Sequence, residues 1–391
     1  MQIGITEKVK YIGVDDLDID LFEGLYKVPE GVSYNSYLIV DKKIALLDTV
    51  DKQKLMEWKE ILLQELAGRK IDYLILHHVE PDHAGSVKEI LELFPEVILV
   101  GNRKTFLFLS QFLEEGMIKN TLVVKEGDIL NLGEQQLTFY MASMVHWPEV
   151  MVSYEKNEKI LFSADAFGKF GAIRETKDDE WECEARRYYF NIVGKYGLAV
   201  QALLKKLEQL EINMICPLHG PILKDNLEKY IKLYQIWSSY EAEESKVLVV
   251  YASIHGNTAE AAKLFVQMIR DRETAVEVYD LARADMSEVI EDAFRYDRIV
   301  LAAASYDGGV FPKMREFLLR LQGKHYQKRK IGLIENGTWS PSAGRAMKEI
   351  INTMKEIEIA EPMITIHSAM KNADIVSLSE LADDICKIKK S

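Results

Sequence analysis

Along the first half of the chain the apolar runs are short and separated by polar turns, a rhythm of strands more than of helices. Tyr37-Leu38-Ile39-Val40 and Ile44-Ala45-Leu46-Leu47 are joined by Asp41-Lys42-Lys43, which predicts a hairpin. Leu55, Trp58, Leu62 and Leu66 then recur on one helical face, and Gly68 marks the stop. More strands are predicted at 73–76, 97–100, 138–141, 160–163 and 214–216. From about Lys246 the pattern becomes regular. Five short apolar strands at 247–251, 276–279, 299–303, 331–334 and 363–366 alternate with helical segments such as 259–270 and 312–321. That alternation predicts a doubly wound parallel sheet. The charged stretch Glu241-Ala242-Glu243-Glu244-Ser245 separates the two rhythms, so domains are expected at 1–245 and 246–391. No internal repeat or low-complexity segment interrupts either.

A length of 391 residues accommodates two domains, and 48% hydrophobic with 28% charged residues is the profile of a folded chain. The net charge of −13 argues against nucleic acid and against an anionic membrane surface as partners. The opening Met1-Gln2-Ile3-Gly4-Ile5-Thr6-Glu7-Lys8 is polar and mixed in charge, unlike a secretory signal, and no apolar run is long enough to cross a bilayer. A cytoplasmic location is expected. Cys183, Cys216 and Cys386 lie far apart, form no CxxC pair and suit a reducing compartment. They also exclude a built-in rubredoxin or ferredoxin segment, which needs four close thiolates. Electrons, if the protein moves them, come from outside the chain.

The candidate chemistry begins with His77-His78-Val79-Glu80-Pro81-Asp82-His83, on the loop after the strand at 73–76. Three more metal-capable residues stand after apolar runs: His146 after 139–145, Asp165 after 160–163, and His219 after 215–218. Loops beyond strand ends on one side of a sheet converge on common clefts. His78, His146 and His219 offer imidazoles, while Glu80, Asp82 and Asp165 offer carboxylates. Three carboxylates and one bridging hydroxide would neutralise two divalent ions. A sulfur-free N/O set fits a non-haem di-iron or di-manganese site better than structural zinc, and Asp165 has two oxygens with which to bridge. A lone surface His or Asp is ordinarily a solvated loop residue, and Pro81-Asp82 alone is a turn signal. Against that stands the scarcity of histidine: of eight in the chain, five are His77, His78, His83, His146 and His219.

In the second half, the strand at 247–251 runs through Ala252-Ser253-Ile254-His255-Gly256-Asn257-Thr258 into a helix. Backbone N–H groups and the helix dipole favour a phosphate dianion there, with Ser253, Asn257 and Thr258 adding hydrogen bonds. The loop is neither GxGxxG nor GxxxxGK[ST], which disfavours a dinucleotide or a nucleoside triphosphate. An N-capped turn is the plain alternative. Two later loops strengthen the ligand reading: Ser305-Tyr306-Asp307-Gly308-Gly309 and Asn336-Gly337-Thr338-Trp339-Ser340, both beyond strand C-termini. Tyr306 or Trp339 can stack on an isoalloxazine, or can pack in the core or at an interface. Together the three loops predict FMN.

The histidine-rich segment resembles the metallo-β-lactamase motif HxHxDH, with Glu80 replacing the second histidine to give HxExDH. With the single His, Asp and His that follow, and a loop resembling the flavodoxin [S/T]xxGNT, nearly the whole chain is similar to the flavodiiron protein family (A-type flavoproteins). The resemblance implies an α/β protein: an N-terminal metallo-β-lactamase-like αββα sandwich and a C-terminal flavodoxin-like doubly wound parallel sheet. It carries over His78, Glu80 and His146 as ligands of one iron and Asp82 and His219 of the other, with Asp165 bridging and His83 behind the ligands. It implies two Fe ions and FMN, reduction of dioxygen to water and/or nitric oxide to nitrous oxide, and an external donor such as rubredoxin. It also implies a head-to-tail homodimer or a dimer of dimers. Tyr188 and Tyr189 resemble a region behind the ligands in that family and are equally readable as core aromatics. Two other readings are a zinc hydrolase with an attached flavodoxin module, which Glu80 disfavours, and a pure electron carrier, which the full ligand set disfavours. No motif distinguishes oxygen from nitric oxide or names the donor.

Overall fold

The computed structural model describes residues 5–175 and 181–387. Residues 1–4 of the opening stretch lie outside them. Two compact units divide the chain: Met1–Tyr189 with Tyr196–Gln235, and Phe190–Lys195 with Ile236–Ser391. The division lies ahead of the charged stretch at 241–245, whose last residues already belong to the strand Glu244–Ala252.

The first unit holds two sheets. Six strands, in spatial order Val9–Tyr11, Tyr37–Val40, Ile44–Leu47, Tyr73–Ile75, Ile98–Gly101 and Thr121–Val123, form one. Five, in order Ile129–Asn131, Gln136–Met141, Met151–Glu155, Ile160–Phe162 and Met214–Cys216, form the other. The expected hairpin is present, with Tyr37 opposite Leu47 and Val40 opposite Ile44. Because side chains alternate along a strand, Ile39, Ala45, Leu47, Ile75 and Val100 share a core with Leu137, Phe139, Ile160 and Phe162 of the second sheet. The intervening Leu38, Leu46, Leu74 and Leu99 are also fully buried, so the opposite face of the first sheet is covered as well. The helix Leu55–Leu66 buries Trp58, Leu62 and Leu66, the stripe read from the sequence, and closes with Ala67 in the left-handed region before Gly68. This is the αββα sandwich.

The second unit is built on a parallel sheet in the order Val276–Asp280, Glu244–Ala252, Tyr296–Tyr306, Gln327–Asn336, Lys355–Ile359. Ile364–Ile366 also pairs in parallel with Gln327–Asn336, beyond Lys355–Ile359 along the same edge. The sequence reading expected only the later segment. Lys355-Glu356-Ile357-Glu358-Ile359 alternates charge with isoleucine, the pattern of a half-exposed edge, and contains no apolar run to notice. Pro362, which has no N–H for a ladder, separates the two segments. The core is Val247, Val249, Phe265, Ile269, Val300, Ile334 and Leu381 with their neighbours, and the architecture is flavodoxin-like.

Among the described residues no helix is long and apolar enough to cross a membrane, and the three cysteines are free.

Candidate metal centre and flavin cavity

Strand pairing explains why distant ligands meet. Ile160–Phe162 and Met214–Cys216 are parallel neighbours, so the loops carrying Asp165 and His219 leave the same edge of the second sheet. Ile44–Leu47 and Tyr73–Ile75 are parallel neighbours in the first, which brings Asp48 beside His77. After His78 the chain turns into the short helix Pro81–Ala84, with Glu80 at the N-cap and the proline at the first helical position, where its missing N–H is harmless.

Two groups of donors result: His78, Glu80, His146 and Asp165 in one, and Asp82, His83 and His219 in the other. In the first, the Nε2 atoms of His78 and His146 each stand 3.1 Å from Glu80 Oε2. They are 3.5 and 3.2 Å from Asp165 Oδ2. In the second, His219 Nε2 is 3.2 Å from Asp82 Oδ2, and His83 Nε2 is 3.4 Å from that oxygen. Asp165 Oδ1 faces this group, 3.1 Å from His83 Nε2 and 3.9 Å from His219 Nε2. Thus one carboxylate turns one oxygen to each group. Donors bound about 2.1 Å from a common ion stand roughly 3.0–3.5 Å from one another, close to the observed spacing. Asp82 Oδ1, Asp165 Oδ1, both ring nitrogens of His83 and His219 Nε2 are buried without hydrogen-bond partners. Buried polar atoms are seldom left so, and convergent orphaned donors of this chemistry fit metal cations.

The electrostatics agree. Burial disfavours charge on His146, but bonds to Asp165 and Glu80 outweigh it and hold the ring at a pKa of about 9. His78 and His83 are raised too, again against burial: His78 by Glu149 and Glu80, His83 by Asp82 and Asp165. Burial pushes the Glu80 and Asp165 carboxyls upward, yet the surrounding histidines hold both below the usual range. Cationic imidazoles here occupy the electrostatic role of metal ions.

Behind the donors lies a support that the sequence did not reveal. Glu149 is fully buried and its Oε1 stands 2.7 Å from His78 Nδ1. His77 is held between Asp48, at 2.6 Å, and Ser153, at 2.8 Å. His219 Nδ1 donates to the Ser33 carbonyl at 2.8 Å. Asn35 fixes the His219 loop by donating to the carbonyls of Pro217 and Gly220, both at 2.8 Å. The only sequence signal for Glu149 is a carboxylate three residues after His146. His83, expected behind the ligands, instead presents Nε2 among them. Tyr188 is buried with its ring 5.6 Å from that of His219. Tyr189 packs on Tyr234 with ring centroids 5.1 Å apart. A cavity of ≈270 Å³ lined by Phe22, Tyr34, Glu80 and Asp82 gives access to the donors.

In the second unit Gly256 caps the helix Asn257–Arg270 with φ +97°, a conformation that disfavours any side chain. Its N–H donates to Ser253 Oγ at 3.1 Å, folding the loop so that the helix N-terminus is open. Three adjacent parallel strands end together here, and a cavity of ≈600 Å³ opens between their loops. Ser253, Ile254, His255, Asn257 and Thr258 line it, as do Ser305, Tyr306, Asp307, Gly308, Asn336, Gly337, Thr338 and Trp339. Of the residues expected from sequence, Gly256 and Gly309 do not line the cavity, whereas Ala304, Ser342 and Ser368, outside the three loops, do. Tyr306 and Trp339 are 45% and 91% exposed, so neither packs in the core. A helix N-terminus for phosphate and exposed aromatics beside a broad cavity fit FMN.

Comparison with known proteins agrees with this construction. Residues 32–220 match the ODP family beta lactamase, and residues 248–360 match a flavodoxin domain. The anaerobic nitric oxide reductase flavorubredoxin of Escherichia coli is 28% identical over 88% of this chain and 74% of its own. The rubredoxin oxygen:oxidoreductase of Desulfovibrio gigas superposes with a TM-score of 0.90 at 26% identity, covering 98% of each chain. A flavo di-iron protein variant from Thermotoga maritima gives 0.89 at 25% identity, again over 98% of each. Fold and site together define a metallo-β-lactamase-like protein fused to a flavodoxin-like one. Over nearly its whole length the chain is similar to the flavodiiron proteins, and it carries both of their domains.

Proposed function

We propose that this chain is an oxidoreductase that reduces dioxygen to water, nitric oxide to nitrous oxide, or both, at a di-iron site supplied with electrons through FMN. The observation that carries this reading is Asp165, whose two oxygens face two separate donor groups. His78, Glu80 and His146 hold one iron and Asp82 and His219 the other, with Asp165 between them. His83 is placed to join the second set. When bound, the iron pair and the flavin each supply two electrons, the four that dioxygen requires.

The protein's own residues do the rest. Bonds behind His78 and His219 fix each ring with Nε2 toward the metal position. Phe22 packs edge-on against His219, with centroids 5.4 Å apart, and Trp147 against His78 at 5.2 Å, keeping bulk water from the ring faces. The cavity beside Glu80 and Asp82, ≈270 Å³, leaves ample room for a diatomic gas to reach the donors. The three cysteines of these two domains are widely separated, so the electrons reach FMN from outside the two domains. The named relatives suggest rubredoxin, and a cytoplasmic head-to-tail dimer completes the proposal.

The test joins metal and flavin analysis of the purified protein to anaerobic stopped-flow of the reduced enzyme against each gas. Two irons and one FMN per chain, with flavin reoxidised on mixing with a gas, is the expected result. Zinc without flavin would instead support a hydrolase, and flavin without iron a carrier. Faster and complete reoxidation by oxygen would assign oxygen as the primary substrate.

A further inference from the structure

The two donor groups are matched in charge where they would touch metal. Each has one carboxylate of its own, Glu80 or Asp82, and one oxygen of Asp165. They differ behind the imidazoles. His78 Nδ1 donates to the carboxylate of Glu149 at 2.7 Å, in a position with no solvent exposure. His219 Nδ1 donates to a neutral acceptor, the Ser33 carbonyl, at 2.8 Å, and His83 Nδ1 has no hydrogen-bond partner. Both acceptors are acceptors only, so they fix each ring as the Nδ1–H tautomer and leave Nε2 free to bind metal. A carboxylate behind a ligand imidazole draws on its proton and makes the ring a stronger donor, and a buried negative charge nearby favours the higher charge on the ion. Glu149 also accepts the Val79 N–H at 3.1 Å, while its Oε2 has no hydrogen-bond partner.

We infer that Glu149 is a positioning residue that makes the two irons unequal, so that the iron on the His78 side is oxidised first and the one on the His219 side last. This rests on the di-iron reading above. It adds an order of oxidation, which the ligand set alone does not contain, and puts its cause in a residue that touches neither metal nor substrate.

The test is an anaerobic redox titration of the iron-loaded full chain, following the mixed-valent form by electron paramagnetic resonance, in wild type and Glu149→Gln. The amide keeps an acceptor for His78 Nδ1 and removes the charge. Removing it raises the potential of the His78-side iron more than that of the His219-side iron, which lies farther from the charge. The expected result is a mixed-valent form whose equilibrium constant for formation falls about tenfold in the variant, equivalent to ~59 mV between the two steps. Glu149→Asp, which keeps the charge, should recover part of the difference. A wider gap in Glu149→Gln would mean that the His219-side iron is oxidised first, and an unchanged gap with two irons bound would give Glu149 a merely structural role. Either overturns the inference and leaves the di-iron reading intact. Wild-type protein unable to hold two irons would overturn both. Should Glu149→Gln load iron poorly, Glu149→Asp against wild type gives the comparison, with a gap equal to or wider than wild type refuting the inference.

Discussion

Stripping the metal with a chelator leaves protons to balance the carboxylates buried around Asp165, and this gives the metal-free protein a distinctive response to pH. His146 is held at a pKa of about 9, against about 6.5 for an exposed imidazole. The difference of roughly two and a half units corresponds to about 3 kcal/mol of folding stability at 1.36 kcal/mol per unit. The group is raised in the folded state, so that stability is fully present below pH ~6.5 and is lost as pH rises through about 9. His78 and His83 are raised as well and act in the same direction. The lowered carboxyls of Glu80 and Asp165 are the other halves of the same pairs and are not counted again. Metal binding has the opposite sign, since each ion must displace these protons. Between pH 7 and pH 9, release from His146 alone should strengthen metal affinity about 50-fold. Urea denaturation of chelator-treated protein at pH 6, 7.5 and 9 reads the first effect, and cobalt titration calorimetry in buffers of different ionisation enthalpy reads the second. Metal-free stability that stays level or rises over that range, or cobalt binding without proton release, would refute the reasoning.

Asp165→Asn keeps the shape of the bridging side chain and removes its charge; the variant should fold but retain at most one iron per chain by metal analysis. Trp339→Ala removes a ring that is 91% exposed, so urea stability should change by less than about 0.5 kcal/mol. The FMN dissociation constant of the same variant should rise about tenfold by fluorescence titration if the ring stacks on the flavin. Asn35→Ala removes donors to Pro217 and Gly220 and the acceptor for Tyr11 Oη. It should cost about 2–4 kcal/mol by urea denaturation and lower metal content on the His219 side first.

What the sequence revealed follows a physical line. Two short apolar runs joined by the polar turn Asp41-Lys42-Lys43 made the hairpin at 37–47 readable, and the apolar stripe of Leu55–Leu66 did the same for its helix. The candidate metal donors were readable because histidines and acids are conspicuous when they follow apolar strands, and parallel pairing then carries strand ends to one edge. Lys355–Ile359 was hidden because an edge strand alternates charge with apolar groups. Ser368 was hidden because it follows the last short strand, and serine is common in any loop. Ser33 lies 186 positions from His219 in sequence and contributes only its carbonyl, which every residue possesses. Glu149 carried no mark of its own among the many acidic residues. Its role comes from a single hydrogen bond, which only the folded chain defines.

That residue also alters the charge argument with which the site began. Glu80, Asp82 and Asp165 alone fall one negative charge short of two divalent ions, and a hydroxide was needed to complete the balance. Glu149 is buried within 2.7 Å of a ligand ring, so a fourth carboxylate stands inside the same enclosure. Four carboxylates balance two divalent ions without any exogenous anion. Were two ferrous ions held there, the site would be neutral as built, and no counter-ion would be drawn in by charge to compete with an uncharged ligand. Raising both ions to the ferric level would add two positive charges that these four carboxylates do not cancel, and the site would then favour an anion. On that charge count, the carboxylate behind His78 would suit a reduced iron pair to a neutral ligand and an oxidised pair to an anionic one.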